Sequence, residues 1–195
     1  MKFTALTTLF AAGLTSAAPA PTPSATPSTN VKAFNLMTLR SASPIHFGQV
    51  SASKSNIFVN LPEDAQDATC DAKVTNGATF SLRDGALFLY NEDTDEEQQV
   101  WVDRSGMGQG NVGYISGGQN PPRNAELTGW TSTVNGDFSY LNFNGAGLIA
   151  CPAVPEGSWS VWVNAGVTNP GGSEGCLGFN AMVQPTEEPV SCTYS

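Results

Sequence analysis

The sequence predicts an all-β fold, a single compact antiparallel β domain of about ten to twelve short strands. Apolar and polar residues alternate with a period near two between frequent turn residues, which is typical of short antiparallel strands. The dipeptides Asp84-Gly85 and Asn135-Gly136 each join two strand-like runs and favour type I′ hairpin turns. Beyond residue 18 no long segment shows the apolar spacing of a helix, so we expect little helix in the folded domain.

A secretory signal peptide is predicted for residues 1–18. Lys2 provides a positive charge, a short apolar run follows, and Ala17 and Ala18 are small residues of the kind that signal peptidase accepts. The apolar run is too short to span a bilayer, and the sequence ends without an apolar tail. We therefore expect a secreted protein with no membrane anchor.

A Pro/Ser/Thr-rich linker is predicted for residues 19–32, ahead of the all-β domain at residues 33–195. Prolines with hydroxyl residues between them cannot form a packed core and are typical of an extended, polyproline-like segment. Its hydroxyl side chains are candidate O-glycosylation acceptors, namely Thr22, Ser24, Thr26, Ser28 and Thr29.

Twelve candidate strands follow in the predicted domain. They lie at residues 33–40, 45–51, 56–60, 79–83, 86–90, 99–103, 113–116, 129–134, 137–142, 147–151, 158–164 and 178–184. The two hairpins share a plan and begin about fifty residues apart, at Thr79 and Trp130. A three-fold β-trefoil is therefore almost as well supported by the sequence as a β-sandwich or barrel. No convincing third copy occurs near the N terminus, and both architectures stay open.

The net charge excludes two classes of partner. Eight Lys and Arg residues face 17 Asp and Glu residues, which gives a formal net charge of -9. Nucleic acids and anionic membranes both require a basic surface, so neither is an expected partner. The oligomeric state stays open.

An even number of cysteines in a secreted chain predicts disulfides. There are four: Cys70, Cys151, Cys176 and Cys192. No two have the Cys-x-x-Cys spacing of a zinc or thiol-exchange site. Of the three connectivities, we favour Cys151 with Cys176 and Cys70 with Cys192.

A glycine-rich loop at residues 106–110 separates two strand-like runs. We interpret it as a structural turn or bulge, because a phosphate-binding loop needs a helix directly after its glycines and here a strand resumes. The alternative is a ligand-facing loop that holds a glycan through Gly108 and neighbouring tryptophans, the candidates being Trp101, Trp159 and Trp162. Alternation places Trp159 and Trp162 on opposite faces of one strand, so at least one of them is expected at a surface.

No metal or cofactor site is predicted. His46 is the only histidine, and we interpret it as a hydrogen-bonded structural residue because no nucleophile motif accompanies it. Asn91, Asp93 and Asp95 imitate the first ligands of a calcium loop, but Glu96 stands where that loop needs glycine. A solvated acidic loop is therefore favoured.

A glycosidase needs two carboxylates that face one another. Acidic residues are spaced across the predicted strands at Asp103, Glu126, Asp137, Glu156 and Glu174. The sequence does not show which two would face each other. We therefore expect no enzyme and no catalytic residue.

Six strings of this sequence are distinctive: RSASPIH at 40–46, VDRSGMGQG at 102–110, GSWSVWV at 157–163, NPGG at 169–172, GCLGF at 175–179 and PVSC at 189–192. Together they resemble the PhiA family of filamentous-fungal cell wall proteins. The similarity runs in order from Phe34 to Ser195. The resemblance implies a secreted, wall-associated protein that is needed for phialide and conidium formation and is linked to stress protection, with relatives that bind IgE. It implies no catalytic residues.

Three hypotheses follow, in order of preference. The first is a non-enzymatic structural protein of the cell wall whose partners are wall polysaccharide or wall proteins. The second is a carbohydrate-binding, lectin-like module that uses surface tryptophan and the glycine-rich loop. The third is a secreted glycan hydrolase with an unrecognised carboxylate pair.

Overall fold

The computed structural model describes residues 27–73, 77–93, 95 and 97–195. The predicted signal peptide and most of the predicted linker, including Thr22, Ser24 and Thr26, lie outside these residues. The described chain consists mainly of strands and turns, and the all-β prediction is confirmed. Within it, no helix has the length and apolar character needed to cross a membrane.

Fourteen strands form in the described residues. They are β1 Val31–Leu39, β2 Val50–Ser53, β3 Asn56–Val59, β4 Ala68–Cys70, β5 Thr79–Arg83, β6 Ala86–Leu89, β7 Gln98–Asp103, β8 Asn111–Ile115, β9 Trp130–Asn135, β10 Phe138–Phe143, β11 Leu148–Pro152, β12 Trp159–Val163, β13 Leu177–Pro185 and β14 Cys192–Tyr194. Single 3-10 turns occur at Glu63–Ala65 and Pro170–Gly172.

Nine of these strands close into an antiparallel barrel. The order around the ring is β1-β5-β6-β7-β8-β3-β12-β11-β13, and β13 pairs with β1 to complete the circle. The β9–β10 hairpin lies outside the ring and pairs with β13, whereas the β5–β6 hairpin is part of the ring. The two similar hairpins thus occupy different positions, one in the ring and the other outside it. Because the sheet closes into a ring, the architecture is a barrel and not a β-trefoil.

Alternate residues of the strands fill the barrel. On β7, Val100 and Val102 are fully buried, while Trp101 between them is half-buried on the outer face. The β9–β10 hairpin adds Trp130 and Phe143, whose rings meet edge to face with centroids 5.0 Å apart. One continuous hydrophobic core therefore runs through the ring and beneath the hairpin.

A second sheet, made of β4 and β14, packs on this core through Tyr194. The side chain of Gln98 is fully buried and binds β14 as another strand would. Its Oε1 accepts the N–H of Tyr194 at 2.7 Å, and its Nε2 donates to the carbonyl oxygen of Tyr194 at 2.7 Å. The Tyr114 hydroxyl donates to the backbone oxygen of Ser195 at 2.5 Å. Buried polar groups thus hold the last strand in place.

The predicted disulfide pairing is confirmed. Cys70–Cys192 links β4 to β14 across a directly paired position. Cys151–Cys176 links β11 to the residue that precedes β13. No cysteine of the described chain is free.

Some strand predictions are wrong. Residues 45–48 form a turn rather than the start of a strand at 45–51, because the N–H of Phe47 donates to the carbonyl of Thr38 at 2.8 Å and so folds the chain back on β1. Strand β2 therefore begins only at Val50. Strands β4 and β14 were not predicted, since three residues are too few to show a period. Strand β1 begins inside the predicted linker because Val31 pairs with Leu82.

Candidate functional site

The glycine-rich loop is a tightly packed backbone corner between β7 and β8. Gly110 has φ 97°, and a β-carbon there would clash with the carbonyl oxygen of Val163 on β12. A β-carbon on Gly108 would clash with Asp103. The Asp103 carboxylate accepts the N–H of Ser105 at 2.8 Å, and its carbonyl accepts the N–H of Gly110 at 2.8 Å. The packing therefore accounts for two of the three glycines in this loop.

The candidate tryptophans occupy two kinds of position. Trp101 lies on the outer face over Gly113, where a β-carbon would come within 2.6 Å of the indole ring. Trp162 is also half-buried on the outer face, and its Nε1 donates to Ser160 Oγ at 3.0 Å. Trp159 packs against the core, as the predicted alternation requires. Contact of any of these side chains with a glycan stays a prediction.

Arg104, which follows Asp103 in the chain, makes a bidentate ion pair with Glu126. Its Nε donates to Glu126 Oε1 at 2.8 Å and its Nη2 to Oε2 at 2.6 Å. These hydrogen bonds lower the pKa of Glu126 and raise that of Arg104. The nearby charge of Asp103 acts on the pKa of Glu126 in the opposite, weaker sense.

The structure brings two of the five candidate carboxylates together. Asp103 caps the glycine-rich loop and Glu126 is bound by Arg104, so both groups already have structural partners. The other three, Asp137, Glu156 and Glu174, lie exposed in separate turns. Asp103 Oδ1 and both carboxylate oxygens of Glu126 thus accept hydrogen bonds within the protein.

His46 and the start of the acidic segment both make structural contacts within the protein. The Nδ1 atom of His46 accepts the N–H of Arg40 at 3.2 Å, and its ring stacks on Phe47 with centroids 3.8 Å apart. Asn91 Oδ1 accepts the N–H of Asp93 at 2.9 Å, which turns the start of the acidic segment. Thr94 and Glu96 lie outside the described residues. Among the residues that are described, no three His, Cys, Asp or Glu side chains cluster to hold a metal ion.

A broad concavity lies elsewhere, on the outer face of β13. A depression of about 830 Å³ adjoins one of about 570 Å³, and both share Gly147, Phe179 and Asn180. We call their combined lining the β13 groove. Its side chains include Arg40, Phe47, Phe138, Asn144 and Asn180.

Sequence reasoning missed this groove. Arg40 and Gly178 meet in it, with Arg40 Nη1 donating to the Gly178 carbonyl at 2.6 Å, yet they are far apart in the sequence. Only the β1–β13 pairing, which closes the barrel, brings them together. The available signal was local: Phe47 is an apolar residue within a turn, and Phe138 is one that directly follows a turn.

Comparison with known proteins now adds to this geometry. Residues 34–195 match the family model of the PhiA-like secreted proteins. The chain belongs to this family. It is similar to proteins named cell wall protein phiA from Emericella nidulans, with 44% identity over 88% of this chain and 90% of the relative, and from Aspergillus niger, with 40% identity over 96% of each chain. The Aspergillus fumigatus protein of that name is 42% identical over 84% of this chain and 85% of the relative. No solved structure gives a significant match.

Family membership confirms the predicted resemblance, and secretion to the cell wall is confirmed with it. The O-glycosylation sites stay predictions. Of the acceptors within the described residues, Ser28 and Thr29 are both exposed. Ser28 already forms a backbone bridge with Ser132, where its N–H donates to the Ser132 carbonyl at 2.7 Å.

Proposed function

We propose that this protein is a non-enzymatic structural component of the fungal cell wall that acts in phialide and conidium development. The observation that carries the proposal is membership in the PhiA-like secreted family, over residues 34–195. The relatives' shared name, cell wall protein phiA, supports a role in the wall. The resemblance also motivates the proposed role in stress protection.

The arrangement of the candidate carboxylates supports a non-enzymatic role. Asp103 and Glu126 each satisfy a structural partner, and the remaining candidates are exposed and separate. A closed barrel with two disulfides also suits a protein that must persist outside the cell.

The wall role is tested by fractionation. Walls from a strain that secretes the tagged protein are washed with salt and then extracted with hot detergent. We expect the protein in the detergent extract as well as in the medium. Protein found only in the culture fluid would contradict retention in the wall.

The developmental role is tested by deletion and complementation. We expect a strain without the protein to form fewer phialides and conidia and to survive oxidative stress less well. The full chain should restore all three measures. Normal conidial counts in the deletion strain would contradict the developmental role and leave the wall role intact.

A carbohydrate-binding module is the second candidate. The observation that favours it is the position of Trp101 and Trp162, both half-buried on the outer face of the barrel on either side of β8. Retention of the oxidised protein on insoluble chitin or β-1,3-glucan tests it. The third candidate is a hydrolase. If our proposal is right, the wild type releases no sugar from wall polymers; release that is lost in Asp103→Asn or Glu126→Gln would contradict it.

A further inference from the structure

The two most exposed aromatic side chains of the described residues both line the β13 groove. Phe47 is 63% exposed and Phe138 is 53% exposed, whereas every described tryptophan and tyrosine is buried or half-buried. Exposed rings gathered in one concavity mark a contact surface. They come from different elements, the turn after β1 and strand β10, so the fold has brought them together.

The backbone of Phe47 is held in an unfavourable conformation. Its φ is 62°, in the left-handed region that bulky side chains rarely adopt. The N–H of Phe47 donates to Thr38 O at 2.8 Å, and the N–H of Gly48 donates to Ile45 O at 3.1 Å. The ring of His46 stacks on the Phe47 ring and orients it. Strain of this kind, maintained by surrounding hydrogen bonds, is typical of functional positions.

Two polar side chains of the groove have unused hydrogen-bonding capacity. Within the described residues, the side-chain amides of Asn144 and Asn180 make no hydrogen bond. Asn180 belongs to both depressions and so stands at the centre of the groove. An amide offers both donors and acceptors, which is the combination that a hydroxyl group needs from its partner.

The charge of the groove differs from that of the whole chain. The protein carries a net charge of -9, yet no Asp or Glu lines either depression. Arg40 is the one Lys or Arg side chain of the lining, and its Nη1 is bound to the Gly178 carbonyl. Apart from Arg40 the lining carries no Lys, Arg, Asp or Glu, so it suits a ligand that binds mainly through packing and hydrogen bonds.

We propose that the β13 groove binds a strand of neutral wall polysaccharide. Apolar faces of the sugar rings pack on Phe47 and Phe138, and sugar hydroxyls bind the amides of Asn144 and Asn180. The outer face of β13 from Gly178 to Met182 spans about 14 Å, which admits more than one sugar unit. This inference rests on the proposed wall function, for which it supplies the partner.

The test compares substitutions in the groove with substitutions elsewhere on the outer face of the barrel. The secreted, oxidised protein is applied to insoluble β-1,3-glucan and to chitin, two neutral polysaccharides, and bound protein is measured against free protein. We expect the double variant Phe47→Ala with Phe138→Ala to bind about tenfold more weakly than the wild type. Asn180→Ala, which alters an exposed side chain only, keeps the test valid if the double variant folds poorly, and we expect weaker binding from it as well.

The comparison variant is Trp101→Ala with Trp162→Ala, the pair on which the alternative carbohydrate-binding site rests; both side chains lie on the outer face but do not line the groove. We expect it to bind as the wild type does. Loss of binding in this comparison variant with retention in the Phe and Asn variants would overturn the groove. A change of oligomeric state in the groove variants, seen by light scattering, would identify a second copy as the occupant and overturn the proposal.

The remaining outcomes separate this inference from the proposed function. If the wild type binds neither polymer and yet is extracted from walls by hot detergent, the groove proposal fails and the structural wall role stands. If the protein is found only in the medium but binds glucan or chitin through Phe47 and Phe138, the wall role fails and the groove stands.

Discussion

Gly106 and Gly110 stand in the same loop under different constraints. Gly110 has a positive φ and lies directly beneath the Val163 carbonyl, so both its backbone conformation and its missing side chain are required. Gly106 has no atom within 4 Å of the place where a β-carbon would lie. The alternating glycines of the sequence are therefore not equivalent, and only structure separates them.

Gly110→Ala should destabilise the protein by about 3 kcal/mol or more, because alanine meets both a positive φ and a carbonyl oxygen that belongs to the backbone. Gly106→Ala is the control in the same loop and should change stability by less than about 1 kcal/mol. The measurement is urea unfolding of the oxidised variants at neutral pH. Equal losses in the two variants would contradict the assigned packing.

Tyr114 gives a pH dependence at the alkaline end. Burial raises the pKa of its hydroxyl to about 12, and the charge of Asp67 adds to this rise, while a hydrogen bond with Ser55 opposes it. Burial also raises the pKa of Tyr194. Because the folded pKa lies above the unfolded value of about 10, this stabilisation is fully present below pH 10 and falls as pH rises towards 12.

We therefore expect the free energy of unfolding to fall by about 2 kcal/mol between pH 10 and pH 12 through Tyr114 alone. Tyr114→Phe should be less stable than the wild type at neutral pH, since it loses the bond to Ser195, and should lose less stability over the alkaline range. Denaturant unfolding at a series of pH values checks this. A variant that loses stability as steeply as the wild type above pH 10 would disprove the assignment.

Strands β4 and β14 depend on each other, because each pairs with no other strand of the described chain. Cys70–Cys192 joins them, with a sequence separation of 122 residues, against 25 for Cys151–Cys176. A cross-link that closes a longer loop restricts the unfolded chain more strongly. The Gln98 side chain binds β14 to the barrel at Tyr194, and the side-chain amide of Asn91 donates to Thr193 Oγ1 at 3.0 Å.

Removing Cys70–Cys192 with a double Ser substitution should cost about 5 kcal/mol, whereas the same change at Cys151 and Cys176 should cost about 3.5 kcal/mol. The first variant should also expose the amide of Tyr194 to hydrogen exchange before the rest of the barrel opens. Urea unfolding and exchange by mass spectrometry measure the two effects. The reverse order of stability would show that native-state contacts outweigh loop length.

The sequence correctly predicted the elements that are specified by local alternation of apolar and polar residues and by turn residues. The hairpin at Asp84-Gly85 forms as predicted, with positive φ at both turn residues, because a dipeptide that favours positive φ and two alternating runs are local properties. The second hairpin also forms, but Asn135 ends β9 opposite Phe138 and only Gly136 has a positive φ. Its turn is therefore Gly136-Asp137 and not the type I′ turn predicted at Asn135-Gly136. The turn at 45–48 was predicted as strand because Ile45 and Phe47 alternate with a polar residue, although β1 supplies the hydrogen bonds that fold it back. Long-range pairing overrode the local pattern.

The features of the candidate site fall into the same two groups, those set by neighbours in the sequence and those set by long-range pairing. The corner at Asp103 and the opposite faces of Trp159 and Trp162 could be predicted, because both follow from neighbours in the sequence. The β13 groove could not, because its wall combines Phe47 with Phe138 and Asn180 only after the barrel closes. Closure of a sheet is a global property that no local period contains.

At the scale of the whole molecule, the net charge distinguishes two mechanisms by which the protein is retained in a wall. A chain with a net charge of -9 can adsorb to a cationic polymer through its overall field, without a specific site. The β13 groove has no carboxylate in its lining and binds through apolar packing and hydrogen bonds. Salt screens the first mechanism, because the Debye length is about 10 Å at 0.1 M and about 3 Å at 1 M.

Binding to β-1,3-glucan should therefore change less than about twofold between 0.1 M and 1 M sodium chloride, because no ion pair with the ligand is broken. Binding to chitosan, a cationic polymer, should weaken by at least about tenfold over the same range and should not respond to Phe47→Ala with Phe138→Ala. The control at constant salt is Arg40→Gln, which removes the one Lys or Arg side chain of the groove. Glucan binding that falls with salt as steeply as chitosan binding would show that the overall charge, and not the groove, carries the interaction.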